Sequence, residues 1–214
     1  MASLLDLGSS TENPDLEGYP IVLSPQVLLG VSVIDNVTGY PSPAQPTAYS
    51  GPVAGLTNEF ISPTPDSLSI AATTPGWFIK GGAGNDAITV SSGTNVIDGG
   101  GGSNFLTGGS GFDTFFVDDH TPSADIWSTI ANCHAGDNIT IYGVDSSDFA
   151  LSWVNGQVAA GYTGLTLHCT AAGKPTASMT LVGFTSADMT SGRVAVSFGT
   201  DPAAGAYMNI HIAS

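Results

Sequence analysis

The stretch Gly81-Gly82-Ala83-Gly84-Asn85-Asp86-Ala87-Ile88-Thr89, followed without a break by residues 90–98, 99–107 and 108–116, decides how this chain folds. These are four nine-residue units in one register. The third keeps Gly99, Gly100, Gly102, Asn104 and Leu106, and the fourth keeps Gly108, Gly109, Gly111, Asp113 and Phe115. The second is degenerate and retains Gly93, Asn95 and Ile97. Each unit reads as a six-residue turn followed by a three-residue strand. Glycines at turn positions one, two and four let carbonyl oxygens point into the turn without a Cβ clash. Position six carries Asp86, Asn95, Asn104 and Asp113; position eight carries Ile88, Ile97, Leu106 and Phe115. The position-eight side chains are expected to fill a narrow core, each contributing roughly 1.5–3 kcal/mol by burial.

The pattern resembles the glycine-rich nonapeptide of RTX proteins, G-G-x-G-x-D-x-U-x with U a large apolar residue, which forms a calcium-binding parallel β-roll. The resemblance implies Ca2+ as cofactor, because a hard cation of this kind takes six to eight oxygens, many of them backbone carbonyls. Carried over residue by residue, it implies a ligand set drawn from Gly81, Gly82, Gly84, Asp86, Gly93, Asn95, Gly99, Gly100, Gly102, Asn104, Gly108, Gly109, Gly111 and Asp113. Successive turns of such a roll lie on alternate edges. Asp86 then faces Asn104 on one edge, and Asn95 faces Asp113 on the other. Each edge has one carboxylate where the family pattern has two. Asp118 or Asp119 is expected to cap a further site with the Asn104 turn. The bland alternative is a glycine-rich loop without metal, against which four units in strict register argue. So much glycine over so small a core leaves little intrinsic stability, so metal binding is expected to supply much of the folding free energy.

Composition narrows the class. The chain has 214 residues, 28 Gly and 13 Pro, and only 10% charged residues against roughly 25% in an ordinary soluble domain. Of the charged residues 18 are acidic and 3 basic, giving a net charge of −15. Lys80, Lys174 and Arg193 are too few to bind nucleic-acid phosphates. No run of about 20 apolar residues occurs, so no membrane insertion is expected. The start, Met1-Ala2-Ser3-Leu4-Leu5-Asp6, lacks the basic region and long apolar stretch of a secretory signal. The RTX resemblance implies instead an extracellular or cell-surface protein of a Gram-negative bacterium, exported in one step by a type I system.

Three regions are expected. Residues 1–70 hold nine prolines and read as an extended arm, with one apolar segment at 26–34. Residues 71–119 read as the β-roll, with Trp77-Phe78-Ile79-Lys80 as its first rung. Residues 120–214 read as a C-terminal β domain of short alternating strands, with Asn155-Gly156 as a hairpin turn. The expected class is all-β: a short parallel β-roll, then an antiparallel sandwich or roll, with an extended N-terminal arm. From Gly76 to Ser214 the chain resembles the C-terminal RTX region of secreted bacterial proteins.

Cys133 and Cys169 each adjoin a histidine, His134 and His168. A disulfide, two buried thiols and a Cys2His2 zinc site are the three readings. Adjacent residues on a strand face opposite ways, which counts against zinc. An exported protein meets an oxidising environment, which favours the disulfide. Enzyme signatures are missing: no nucleophile elbow, no H-E-x-x-H and no P-loop occurs, so no catalytic activity is expected. Two functions remain. One is a secreted calcium-binding structural protein that self-assembles at the cell surface, as a filament or layer, a homo-oligomer joined through the 1–70 arm. The other is a monomeric calcium-dependent adhesion or carrier module, with a surface polysaccharide or matrix as its ligand.

Overall fold

The computed structural model describes residues 30–39, 45–120 and 123–214. The chain coils between two eight-stranded sheets, leaving a strand in each sheet in turn. The coil comprises β3 (Asn58–Ile61), β4 (Leu68–Ala72), β5 (Trp77–Lys80), β6 (Ala87–Val90), β7 (Asn95–Asp98), β8 (Phe105–Thr107), β9 (Asp113–Asp118), β10 (Ile126–Ala131) and β11 (Asn138–Tyr142). Odd-numbered strands pair in parallel in one sheet and even-numbered strands in the other. Ser69 pairs with Ala87, Ala87 with Phe105, Phe78 with Val96 and Asn95 with Asp113, each 18 residues apart, or two nonapeptides. The architecture is the expected β-roll.

A ladder of inward side chains holds the coil together: Ile70, Ile79, Ile88, Ile97, Leu106, Phe115, Ile130 and Ile139, each at most 2% exposed. From Ile70 to Phe115 the spacing is nine. It jumps between Phe115 and Ile130 because the register step rises to 24 residues where Phe105 pairs with Thr129 and Thr114 with Asn138. The longer β9 and the connection after it absorb the six extra residues. The core ladder then resumes in phase.

The roll begins earlier than the sequence suggested. β3 and β4 precede Trp77, so Trp77–Lys80 is not the first rung, and the boundary at residue 70 falls inside β4. Before them, β1 (Val31–Asp35) pairs antiparallel with β4, and β2 (Thr47–Ala48) with β3. The described part of the expected arm therefore lies on this chain's own sheets, with Val31, Val33, Phe60 and Leu68 in the core. Strands broken by proline can still occupy the edges of a sheet. The remaining arm, residues 1–29 and 40–44, lies outside the described residues, as do residues 26–29 of the apolar segment at 26–34.

Antiparallel strands close the other end. β14 (Ala177–Val182), β13 (Tyr162–Thr170) and β12 (Ala150–Ala159) extend the sheet containing β10. β16 (Gly205–Ile212) and β15 (Val194–Asp201) extend the sheet containing β11. One short helix, α1 (Ser186–Thr190), joins the two groups. Asn155-Gly156 is not a hairpin turn but a bulge inside β12, where the register shifts between Val154 and Gln157. The hairpin turns instead at Ala160-Gly161, directly after β12, both with positive φ (48° and 82°), as a type I′ two-residue hairpin requires.

Candidate calcium-binding turns

Turns 81–86 and 99–104 stack on one edge of the roll, and turns 91–94 and 108–112 on the other. Stacking is close enough that only glycine fits. A Cβ on Gly100 would strike the Gly82 carbonyl oxygen, one on Gly102 the Gly84 oxygen, and one on Gly111 the Gly93 oxygen. Gly102 also holds a φ of +76°, which an L side chain rarely adopts. The glycines thus bring carbonyl oxygens of successive turns together.

Position six lines the inside of each edge. Asp86, Asn95, Asn104 and Asp113 are all buried, at 2%, 0%, 4% and 1% exposure. Each reaches back one coil. Leu68 N–H donates to Asp86 Oδ1 (2.7 Å), Asp86 N–H to Asn104 Oδ1 (2.8 Å), and Trp77 N–H to Asn95 Oδ1 (3.1 Å). The carboxylates also accept from their own turns: Gly82 N–H to Asp86 Oδ2 (2.9 Å) and Gly109 N–H to Asp113 Oδ2 (2.7 Å).

The asparagines differ in their second atom. Asn104 Nδ2 donates to the Gly101 oxygen at 2.9 Å and lies 3.5 Å from that of Gly102. Asn95 Nδ2 donates to the Ser92 and Gly93 oxygens, at 3.1 and 3.2 Å, and to Asp113 Oδ1 at 2.9 Å. With the oxygen accepting a backbone N–H and the nitrogen facing carbonyls, the bonding itself fixes each amide's orientation. A carboxylate can only accept. Position six therefore offers no donor to the matching carbonyls, Ala83 and Gly84 in the Asp86 turn and Ser110 and Gly111 in the Asp113 turn.

Burial pushes the Asp86 carboxyl above its ordinary pKa, against the pull of the Leu68 and Gly82 N–H bonds. Burial does the same to Asp113, aided by the charge of Asp137 and opposed by the Asn95 amide. No basic side chain compensates either. Among the described residues Lys80 pairs with Asp98, Arg193 with Asp188, and Lys174 lies over the Phe149 ring. Buried carboxylates beside carbonyl oxygens that receive no side-chain amide form a donor set that suits a hard divalent cation, although the Ser110 oxygen accepts Gly93 N–H at 2.9 Å. The Asp86 and Asp113 turns fit calcium. In the Asn95 and Asn104 turns the amide already serves the carbonyls that a cation would otherwise draw, so those side chains are turned away from the ligand role expected of them.

Asp118 and Asp119 part company. Asp118 is exposed; it borders the cavity beside Ala83, Gly101, Gly102 and Ser103, and accepts from His120 N–H at 3.0 Å. Asp119 is 3% exposed, its Oδ1 has no hydrogen-bond partner, and burial lifts its pKa to about 6. Its charge is felt by Cys169, and it feels that of Asp118 in turn.

Cys133 and Cys169 are both buried and both free, which corrects the expected disulfide. Cys169 aligns with Ala177 and, through it, with Ile126 at the start of β10, two strands away. Cys133 follows the far end of β10, seven residues on, roughly 20 Å at a strand's rise per residue. A bridge needs Cα atoms within about 7 Å. Burial pushes the Cys169 thiol up to about 12 and the Cys133 thiol higher still. The zinc reading falls with the same separation; His168 instead bonds Ser178 and Gln157.

Residues 80–115 match the family model described as the RTX calcium-binding nonapeptide repeat, in four copies. Neither the curated proteins nor the solved structures give a match to this chain. RTX repeats bind Ca2+ as a structural ion and are typical of secreted proteins. Among the described residues no helix is long and apolar enough to cross a membrane. Residues 80–115 are thus RTX calcium-binding nonapeptide repeats, set in the middle of a roll that the chain extends on both sides.

Proposed function

We propose that the protein is a secreted, non-enzymatic structural protein, folded by calcium outside the cell, whose copies associate through open sheet edges. The observation that carries this reading is the C-terminal edge of the roll. β12 is ten residues long and unpaired on one side among the described residues, and Val154 and Val158 are 39% and 61% exposed there. Tyr162, at the start of its partner β13, adds a further exposed ring. A long apolar edge strand is a template for pairing with another chain. The joint assigned to the 1–70 arm moves with it, because strands β1 to β4 already pair within this chain. Light scattering on the full chain in millimolar calcium tests the reading. Multimers are expected, reduced to monomers by Val158→Lys, which places a charge on the edge. A chain that stays monomeric at high concentration contradicts it.

A second reading, a calcium-dependent adhesion module, is favoured by a different surface. On the outer face of the β9–β11–β16–β15 sheet, Phe116 stacks on Tyr142 at 5.5 Å, and Tyr207 meets Tyr142 edge-on at 6.2 Å. Thr140, Asn209, Ser197 and Asp201 line the same groove. Rings beside hydroxyl and carboxamide groups suit the apolar and polar faces of a sugar. Tyr142→Ala should then abolish retention on a polysaccharide column while leaving calcium binding unchanged.

A further inference from the structure

The matched repeats stop at residue 115, but the position-six pattern does not. On the edge that carries Asn95 and Asp113, the next turn runs from Asn132 to Asp137. It has none of the glycines of the repeat at positions one, two and four. Asn132 instead adopts a φ of +60°, and its amide donates to the Gly108 oxygen at 2.7 Å. Asp137 takes the position-six role, with its own-turn donor shifted from position two to position three. Its Oδ1 accepts Asp113 N–H at 2.8 Å, as Asn95 accepts Trp77 N–H, and its Oδ2 accepts His134 N–H of its own turn at 2.7 Å. Ile139, two residues on, fills position eight with no exposure. Asp137-Asn138-Ile139-Thr140 repeats the Asp86-Ala87-Ile88-Thr89 of the first unit.

Asp137 is fully buried and Asp113 is 1% exposed. At the preceding step of this edge, an amide hydrogen of Asn95 meets the Asp113 carboxylate. At the Asp113–Asp137 step both side chains are carboxylates, and no side-chain donor among the described residues stands between them. No lysine or arginine reaches either one, and the Asp137 charge is felt by both Asp113 and Cys133. Two buried negative charges in successive turns need a counter-charge between them.

We infer that residues 132–140 form a further calcium-binding coil outside the matched repeats, and that Asp113 and Asp137 together hold a divalent cation. The inference rests on the calcium reading of the repeats. It restores to this edge the pair of carboxylates that the repeats alone do not provide, one of them supplied by a turn without repeat glycines.

Calcium titration calorimetry on the full chain and on Asp137→Asn tests it. The variant keeps an oxygen to accept Asp113 N–H and gives up only the bond from His134 N–H, so the fold is expected to survive in calcium. The expected result is one calcium fewer per chain, with the β spectrum in calcium unchanged. An equal number of ions bound with equal affinity overturns the inference and leaves the repeat sites standing. A wild-type chain that binds no calcium overturns both. Lanthanide soaking of wild-type crystals gives a second test independent of the variant's folding. An anomalous peak between the two carboxylates is expected, and peaks confined to the Asp86–Asn104 edge contradict it.

Discussion

Asp and Asn differ by one donor group, and at position six that difference separates turns that call for an ion from turns that supply their own hydrogen bonds. Asn95→Asp would remove the amide from the Ser92 and Gly93 oxygens and set a carboxylate against Asp113. In chelator it should cost about 1–3 kcal/mol, the range for a buried polar group left without its partner. In calcium it should add a bound ion. Melting curves in chelator at a pH low enough for the stripped fold to persist, and calorimetry in calcium at neutral pH, check both halves. Asp119 offers a separate test. Its folded pKa of about 6 lies above the ordinary aspartate value of 3.8, so between those values the folded state holds the extra proton. Stability from this group is therefore lost as pH rises from about 4 to about 6. Asp119→Asn should raise stability at pH 7 by roughly 1–3 kcal/mol and have no effect below pH 4. Melting temperatures across that range decide it.

Among the elements, the coils were legible because glycine turns and the position-eight side chains repeat every nine residues. Coils lacking one of those signals were not. β3 and β4 have the inward Phe60 and Ile70 but proline-rich turns, which read as an arm. The 132–137 turn has the aspartate and the isoleucine but lost its phase when six residues entered the coil after β9. Its Asp-x-Ile-Thr was the signal that remained. The Asn155-Gly156 turn signal misled because glycine with positive φ serves a bulge as well as a hairpin. Cysteine spacing carried no information on the 20 Å or so that the sheet puts between the thiols. The element account predicts that Leu106→Ala, at a side chain with no exposure, costs about 2–5 kcal/mol. Gly102→Ala should cost more than the roughly 1 kcal/mol of a simple αL penalty, since its Cβ also meets the Gly84 oxygen. Thermal unfolding in saturating calcium measures both.

The whole molecule is a pair of sheets wound from one coil, with a thin apolar ladder inside and buried carboxylates along its edges. Both Asp86 and Asp113 are raised by burial, so the calcium-free fold is favoured when they are protonated and loses stability as pH rises through their folded pKa values. Calcium binds the deprotonated forms, so it should restore at neutral pH what deprotonation removes. Calcium-stripped protein should thus hold more β structure near pH 4 than at pH 7, and calcium should reverse that order. The most direct measurement is the far-ultraviolet circular dichroism of the stripped chain at pH 7 before and after calcium is added. The account predicts a largely disordered spectrum that converts to β structure with the ion. A β spectrum already complete in the stripped protein would contradict it.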